Sequence, residues 1–180
     1  MKRHSLISCF ACVLGLSTLS HAQAVPTASR GGSIQLGIGG MLTSPDYAQF
    51  YLKGLTFYGD FDFTHNLGIE GDIHYAIVTP SDISEDSYLF GPRYNWRHKK
   101  LNTYAKVLFG VGRFGTQAGS FTVIATTSYF EYAAGGGIEY MVTRNINIRP
   151  FDVEFQKWPT FAPNGLSPIT YTFGAAWVFH

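Results

Sequence analysis

The feature that most constrains this 180-residue chain is a period of two that returns in eight successive segments. Alternating apolar and polar side chains are the mark of strands with two unlike faces. The first segment is Ser33 to Met41. In the second, Leu55, Phe57, Phe61 and Phe63 oppose Thr56, Tyr58, Asp60 and Asp62. The third sets Ile69, Ile73, Tyr75 and Ile77 against Glu70, Asp72 and His74, and the fourth, Tyr88 to Trp96, sets Phe90, Tyr94 and Trp96 against Arg93 and Asn95. In the fifth, Ala105, Val107, Phe109 and Val111 oppose Lys106, Gly110 and Gly112. The sixth opposes Phe130, Tyr132, Ile138 and Tyr140 to Glu131, Gly135, Gly137 and Glu139. The seventh, Ile146 to Lys157, opposes Phe151, Val153 and Phe155 to Asp152, Glu154 and Gln156, with Pro150 marking a bulge or an irregular start. The eighth carries Tyr171, Phe173, Ala175, Trp177 and Phe179 on one face.

Connection length alternates as well. Thr64 to Leu67, Arg97 to Leu101 and Thr143 to Asn145 are short and polar, whereas Met41 to Lys53, Thr79 to Asp86, Thr116 to Thr127 and Trp158 to Ser167 are long. Short turns at one end and long loops at the other predict an all-β, eight-stranded antiparallel up-and-down barrel of the transmembrane kind. A membrane-spanning strand needs about 9–11 residues, and each segment can supply them.

Alternation does not by itself say which face points inward. A secreted lipocalin-like barrel would put the apolar face inside, around a ligand, and a membrane barrel would turn it to lipid. The polar face is rich in glycine with isolated charges of both signs, which suits a narrow lumen. Trp96 and Trp177 fall near the short turns and Trp158 at the long-loop end, where interfacial girdles are expected.

Residues 1–24 have the layout of a signal peptide: Lys2 and Arg3, an apolar run from Leu6 to Leu19, and a small-x-small site at Ala22-Gln23-Ala24. Residues 25–180 then form the barrel domain. Cys9 and Cys12 both lie in the leader, so the mature chain has no thiol for a disulfide or a thiolate metal site. Thirteen basic residues less Lys2 and Arg3 leave eleven, against twelve acidic ones. That balance argues against a nucleic-acid partner. Fifteen Phe, eleven Tyr and twenty Gly favour strands.

The mature chain resembles the small outer-membrane β-barrel family of OmpA/OmpX-like proteins. "LFGPRYNWRHKKLNTYAKVLFGVGRF" is similar to that family's central hairpin and "YAAGGGIEYMVTRNINIRP" to its glycine-rich sixth strand. The resemblance implies export to the outer membrane, contact with its lipid, a monomer, and insertion by the barrel assembly machinery. It also implies an assembly signal in the last strand, a polar-x-Gly-x-x-aromatic-x-aromatic pattern that Thr172, Gly174, Trp177 and Phe179 match. His180 extends one residue past the usual terminal aromatic.

Gly110, Gly112 and Gly115 spell G-x-G-x-x-G, but no helix opens after them, so they are read as making room in the lumen. Asp60, Asp62, Glu70, Asp72 and His74 are a more informative constellation, since one short turn brings them onto a single face. Facing carboxylates need neutralising. A metal or proton-linked site would do it; an internal ion-pair network with Arg93 and Lys106, joined across the lumen by Glu131, Glu139, Arg149, Asp152 and Glu154, does it with residues already present and is preferred. No cofactor is expected. Catalysis would need a nucleophile, a base and an orienting group together, and no serine stands two positions from His74, the histidine placed inside. The expected role is structural, adhesive or interaction-based through the long loops, with an unidentified partner. A narrow passive pore and the soluble ligand-binding barrel are the alternatives, and an outer-membrane lipid-modifying enzyme ranks below them.

Overall fold

A computed structural model describes residues 32–47, 49–78, 83–117 and 123–179. Residues 1–24, where a leader is expected, and His180 lie outside the described residues. Eight strands follow one another: β1 (Ser33–Ser44), β2 (Leu52–Asp62), β3 (Leu67–Val78), β4 (Ile83–His98), β5 (Leu101–Gln117), β6 (Val123–Met141), β7 (Ile146–Lys157) and β8 (Ile169–Phe179). Each pairs antiparallel with its neighbour, and β8 pairs back onto β1, so the sheet closes into a barrel with no free edge. The strands extend further toward the long loops than alternation suggests. The β5–β6 pairing runs to Gln117 and Val123, leaving only five residues between them. Phe63, expected on β2, falls in the turn that follows it.

Two of the three short turns share one device. In Thr64-His65-Asn66-Leu67, Thr64 Oγ1 accepts from the Leu67 amide at 2.8 Å, and the Asn66 side-chain amide donates to the Asn95 carbonyl of β4 at 2.8 Å. In Thr143-Arg144-Asn145-Ile146, Thr143 Oγ1 accepts from the Ile146 amide at 3.1 Å, and the Asn145 side chain donates to the Val178 carbonyl of β8 at 3.1 Å. A threonine hydroxyl closes each turn and an asparagine clips it to the next strand. The third turn is Lys99-Lys100, where Lys99 takes φ 55°, as a two-residue hairpin turn demands.

Facing follows parity. Leu36, Ile38, Phe57, Phe90, Phe109, Phe130, Phe155 and Phe173 are exposed on the outer wall, while Asp60, Glu70, Arg93, Lys106, Glu139 and Glu154 are buried inside. An outer wall of this composition cannot be solvated without large cost. It rules out the soluble lipocalin-like arrangement, in which the apolar face would be inside.

Pro150 does mark a bulge. The β7–β8 register shifts between Arg149 and Asp152, and Pro150 and Phe151 both face outward. The extra residue resets parity, so Arg149 points inward together with Asp152 and Glu154; without it the proline would occupy the lumen position.

Trp158 corrects an expectation. It is fully buried rather than part of a lipid girdle. Its position has the same parity as Asp152, Glu154 and Gln156, so the lumen-facing row simply continues past the end of β7. Trp96 and Trp177, by contrast, are about half exposed, at 53% and 51%, near the short-turn end.

Candidate functional site

The lumen is filled in layers, described here from the short turns upward. A vestibule of about 940 Å³ opens at the short-turn end, rimmed by Arg97, Lys99, Lys100 and Arg144 and floored by Asp60, Arg93 and Glu139. At its wall Asp62 is held by Arg97 and by the Asn95 amide at 2.7 Å.

The floor is an arginine layer. Arg93 meets Asp60 at 2.7 Å, Glu70 at 2.8 Å and Glu139 at 2.6 Å. Arg149, from across the barrel, meets the same three carboxylates at 3.4, 2.9 and 2.9 Å. The guanidinium of Arg93 lies 3.8 Å from the ring centre of Tyr104, and that of Arg149 lies 3.7 Å from Tyr58. Stacking on an aromatic face leaves the planar fork free for carboxylates, which arginine does better than lysine. Gly37 makes room for the Tyr58 ring, because a Cβ there would collide with it. Gln35 ties the layer to β1 by donating to Asp60 at 2.8 Å and Glu139 at 2.9 Å.

Above it lies a lysine layer. Lys106 Nζ contacts Glu70 at 2.9 Å, Asp72 at 2.7 Å, Asp152 at 3.1 Å and Glu154 at 2.7 Å. Tyr104 donates its hydroxyl to Asp152, and His74 Nε2 lies 3.3 Å from Glu154. Glu70 joins the two layers, since it touches Arg93, Arg149 and Lys106 together.

Higher still the interior turns apolar, with Leu89, Leu108 and Ala133 in one cluster and Met41, Leu52 and Ala76 in another. Glu131, expected in the ion-pair network, stands apart near this level and accepts from Ser87 Oγ at 3.2 Å. It is four residues, about 13 Å of strand, further toward the loops than Gly135, the β6 position in register with Lys106 and Glu154. Trp158 then closes the loop end over Gly112, where a Cβ would collide with the indole. It stacks on Tyr129 with ring centres 6.2 Å apart, and Phe161 packs against Trp158, Tyr129 and Phe114. Tyr47 adds an edge contact to Phe114 and donates to Glu85 at 2.6 Å. Burial in this loop-end contact, with the Glu85 carboxylate beside it, raises the Tyr47 phenol above its ordinary range.

The five-residue constellation on β2 and β3 is therefore divided among different partners. Asp60 and Glu70 belong to the arginines, Asp62 to Arg97, and Asp72 and His74 to the lysine layer. Residues not anticipated are Tyr58 and Tyr104 as arginine platforms, Gln35 and Asn95 as amide bridges, and Trp158 as a lid. Parity with Lys106 and with Glu154 was the signal available for Tyr104 and Trp158.

The sequence matches the family described as Outer membrane protein beta-barrel domain over residues 9–179. The chain belongs to that family. It is an outer-membrane protein, and its apolar exterior is a transmembrane surface. Neisserial surface protein A is similar in structure, with a TM-score of 0.64 at 14% identity, over 83% of this chain and 97% of that one. Ail, the attachment invasion locus protein of Yersinia pestis, solved with the heparin analogue sucrose octasulfate, has a TM-score of 0.56 at 19% identity, over 83% of this chain and 99% of that one. The outer membrane protein OprG of Pseudomonas aeruginosa has a TM-score of 0.56 at 14% identity, covering 83% and 96%. At such identities the likeness is one of fold. Among curated proteins, none matches this chain in sequence.

Proposed function

We propose that this protein is a non-conducting outer-membrane scaffold that acts through its long-loop end, in adhesion or another surface interaction. The observation that carries the reading is the filled lumen: two charged layers, an apolar layer and the Trp158 lid stand in series across the bore. An eight-stranded barrel is just wide enough for its side chains to fill it. A scaffold so closed has its loops as the seat of function.

The chemistry of that end narrows the partner. Segments 45–51, 79–82, 118–122 and 158–168 contain two aspartates and no lysine or arginine. Tyr47, Phe114, Tyr129 and Phe161 give the same end an aromatic surface, with Phe161 in contact with Phe114 and Tyr129. Ail is solved in complex with a sulfated heparin analogue; these four segments offer no basic side chain to a polyanion, and their aromatic surface suits a protein or an uncharged glycan. Arg97, Lys99, Lys100 and Arg144 gather at the opposite mouth, while Lys53, Arg113 and Lys157 stand on the strand ends next to the long loops.

Cells displaying the wild type or a Tyr47→Ser/Phe161→Ser variant at equal surface density test this by attachment to immobilised protein, neutral glycan and heparin. Attachment to one of the first two is expected, falling several-fold in the variant and persisting in salt. Attachment to heparin alone, or equal attachment by the variant, would overturn the reading.

A further inference from the structure

The carboxylates of the lumen outnumber its cations, and the excess is local. In the arginine layer two guanidinium groups answer Asp60 and Glu139, and Glu70 is shared with Lys106. One layer up, Asp72, Asp152 and Glu154 have a single fixed cation, Lys106. With Glu70 included, six buried carboxylates, Asp60, Glu70, Asp72, Glu139, Asp152 and Glu154, face three fixed cations, Arg93, Arg149 and Lys106, and three negative charges are left over. Uncompensated charge at that depth is expensive.

His74 stands at this deficit, itself 2% exposed. Its Nε2 is 3.3 Å from Glu154 Oε2 but out of hydrogen-bond alignment, and its Nδ1 has no hydrogen-bond partner among the described residues. Lys106 engages Asp72 through Oδ2 and Glu154 through Oε1. The Oδ1 of Asp72 is left without a partner, and Glu154 Oε2 is the oxygen turned toward the imidazole. One ligand atom from each of Asp72, His74 and Glu154 can be chosen so that all three lie within 4.8 Å of one another.

We propose that Asp72, His74 and Glu154 bind one divalent cation of the borderline class, such as zinc or cobalt. One imidazole nitrogen and two carboxylate oxygens are donors this class accepts, whereas calcium and magnesium require more oxygens and no nitrogen. Ligands about 2.1 Å from a metal are about 3.4 Å apart in a tetrahedron, so the three side chains must draw together from 4.8 Å on binding. A dication cancels two of the three excess charges. Asp72 and His74 come from β3 and Glu154 from β7, four strands away in either direction around the barrel, so the metal would brace the bore across its diameter. Lys106 stands alongside and holds the remaining oxygens, Asp72 Oδ2 and Glu154 Oε1, in place.

Because the layers above and below close the site, the metal is loaded during refolding. Purified protein is refolded in detergent with cobalt(II) or zinc, freed of excess metal, and checked for folding by heat-dependent electrophoretic mobility. Metal content and the visible cobalt spectrum are then read. About one retained equivalent and ligand-field bands of mixed nitrogen and oxygen coordination are expected. His74→Gln and Asp72→Asn should each weaken retention at least tenfold, while His65→Gln and His98→Gln, at the short-turn end, should leave it unchanged. Folded wild type that retains no metal, or retention indifferent to His74→Gln, overturns the proposal. Should the lumen variants fail to fold, nitrogen NMR of the wild-type imidazole decides: a zinc-shifted ring nitrogen supports the site, and an imidazolium in saturating zinc shows that protons, not metal, balance the charge.

Discussion

Removing Lys106 should destabilise the barrel more than removing Arg93, although both are buried cations in the same network. Lys106 is the one fixed cation touching Asp72, Asp152 and Glu154 among the described residues. In Lys106→Met those carboxylates keep only the neighbouring His74 as a basic group, and breaking a buried pair from one side costs about 3–5 kcal/mol. Arg93 is different because Arg149 contacts the same Asp60, Glu70 and Glu139. Arg93→Met therefore forfeits charge-assisted hydrogen bonds worth about 1.5–3 kcal/mol without stranding their acceptors. Urea unfolding of the reconstituted barrel, followed by tryptophan fluorescence with chelator present, reads both. With a slope of about 2 kcal/mol per molar, the midpoint should fall by about 1.5–2.5 M for Lys106→Met and by about half that for Arg93→Met. Adding Glu154→Gln to Lys106→Met should restore about 1–3 kcal/mol, since it removes one stranded charge. A midpoint for Lys106→Met no lower than that of Arg93→Met would refute the reasoning.

On the lipid face, Phe109→Arg at the centre of β5 should cost about 2–4 kcal/mol in bilayer-reconstituted protein, and unfolding free energies would show it. Gly110→Ala should impair assembly, because its Cβ would strike the Tyr88 carbonyl oxygen, whereas Gly71→Ala, whose Cβ would meet Phe90 at an ordinary 3.6 Å, should be neutral; folded yield separates the two. Trp158→Ala should lose about 3–5 kcal/mol and expose the apolar layer to water, readable as lower thermal stability with the barrel still formed. Phe179→Ser should reduce insertion and leave precursor or periplasmic degradation products if Trp177 and Phe179 form the assembly signal; normal membrane yield would place the signal elsewhere.

The barrel was legible because a strand with lipid on one side and a crowded lumen on the other must alternate, and Phe57, Phe109 and Phe173 hold that phase against Asp60, Lys106 and Thr172. Pro150 disclosed its own bulge, since it cannot donate to the ladder. Trp158 was misplaced because tryptophan at a strand end suits a girdle as well as a lid, and only the row Asp152, Glu154, Gln156 extended by one more step separates the two. Which carboxylate meets which cation was not legible. Glu154 reaches His74 across the full width of the bore, a contact set by closure of β8 onto β1 and invisible to neighbouring-strand reasoning. The shared Thr-x-Asn-aliphatic turns were present in the sequence, but their significance lies in the carbonyls of Asn95 and Val178, which only the third dimension supplies.

Electrical recording from the wild-type monomer in a planar bilayer tests the closed lumen most directly. The layers of Arg93, Lys106 and Trp158 in series should give a silent membrane or brief, small events, at either polarity and across physiological salt. Large, long-lived channels from verified monomers would contradict a filled bore and make passage of small solutes or ions the function of the barrel.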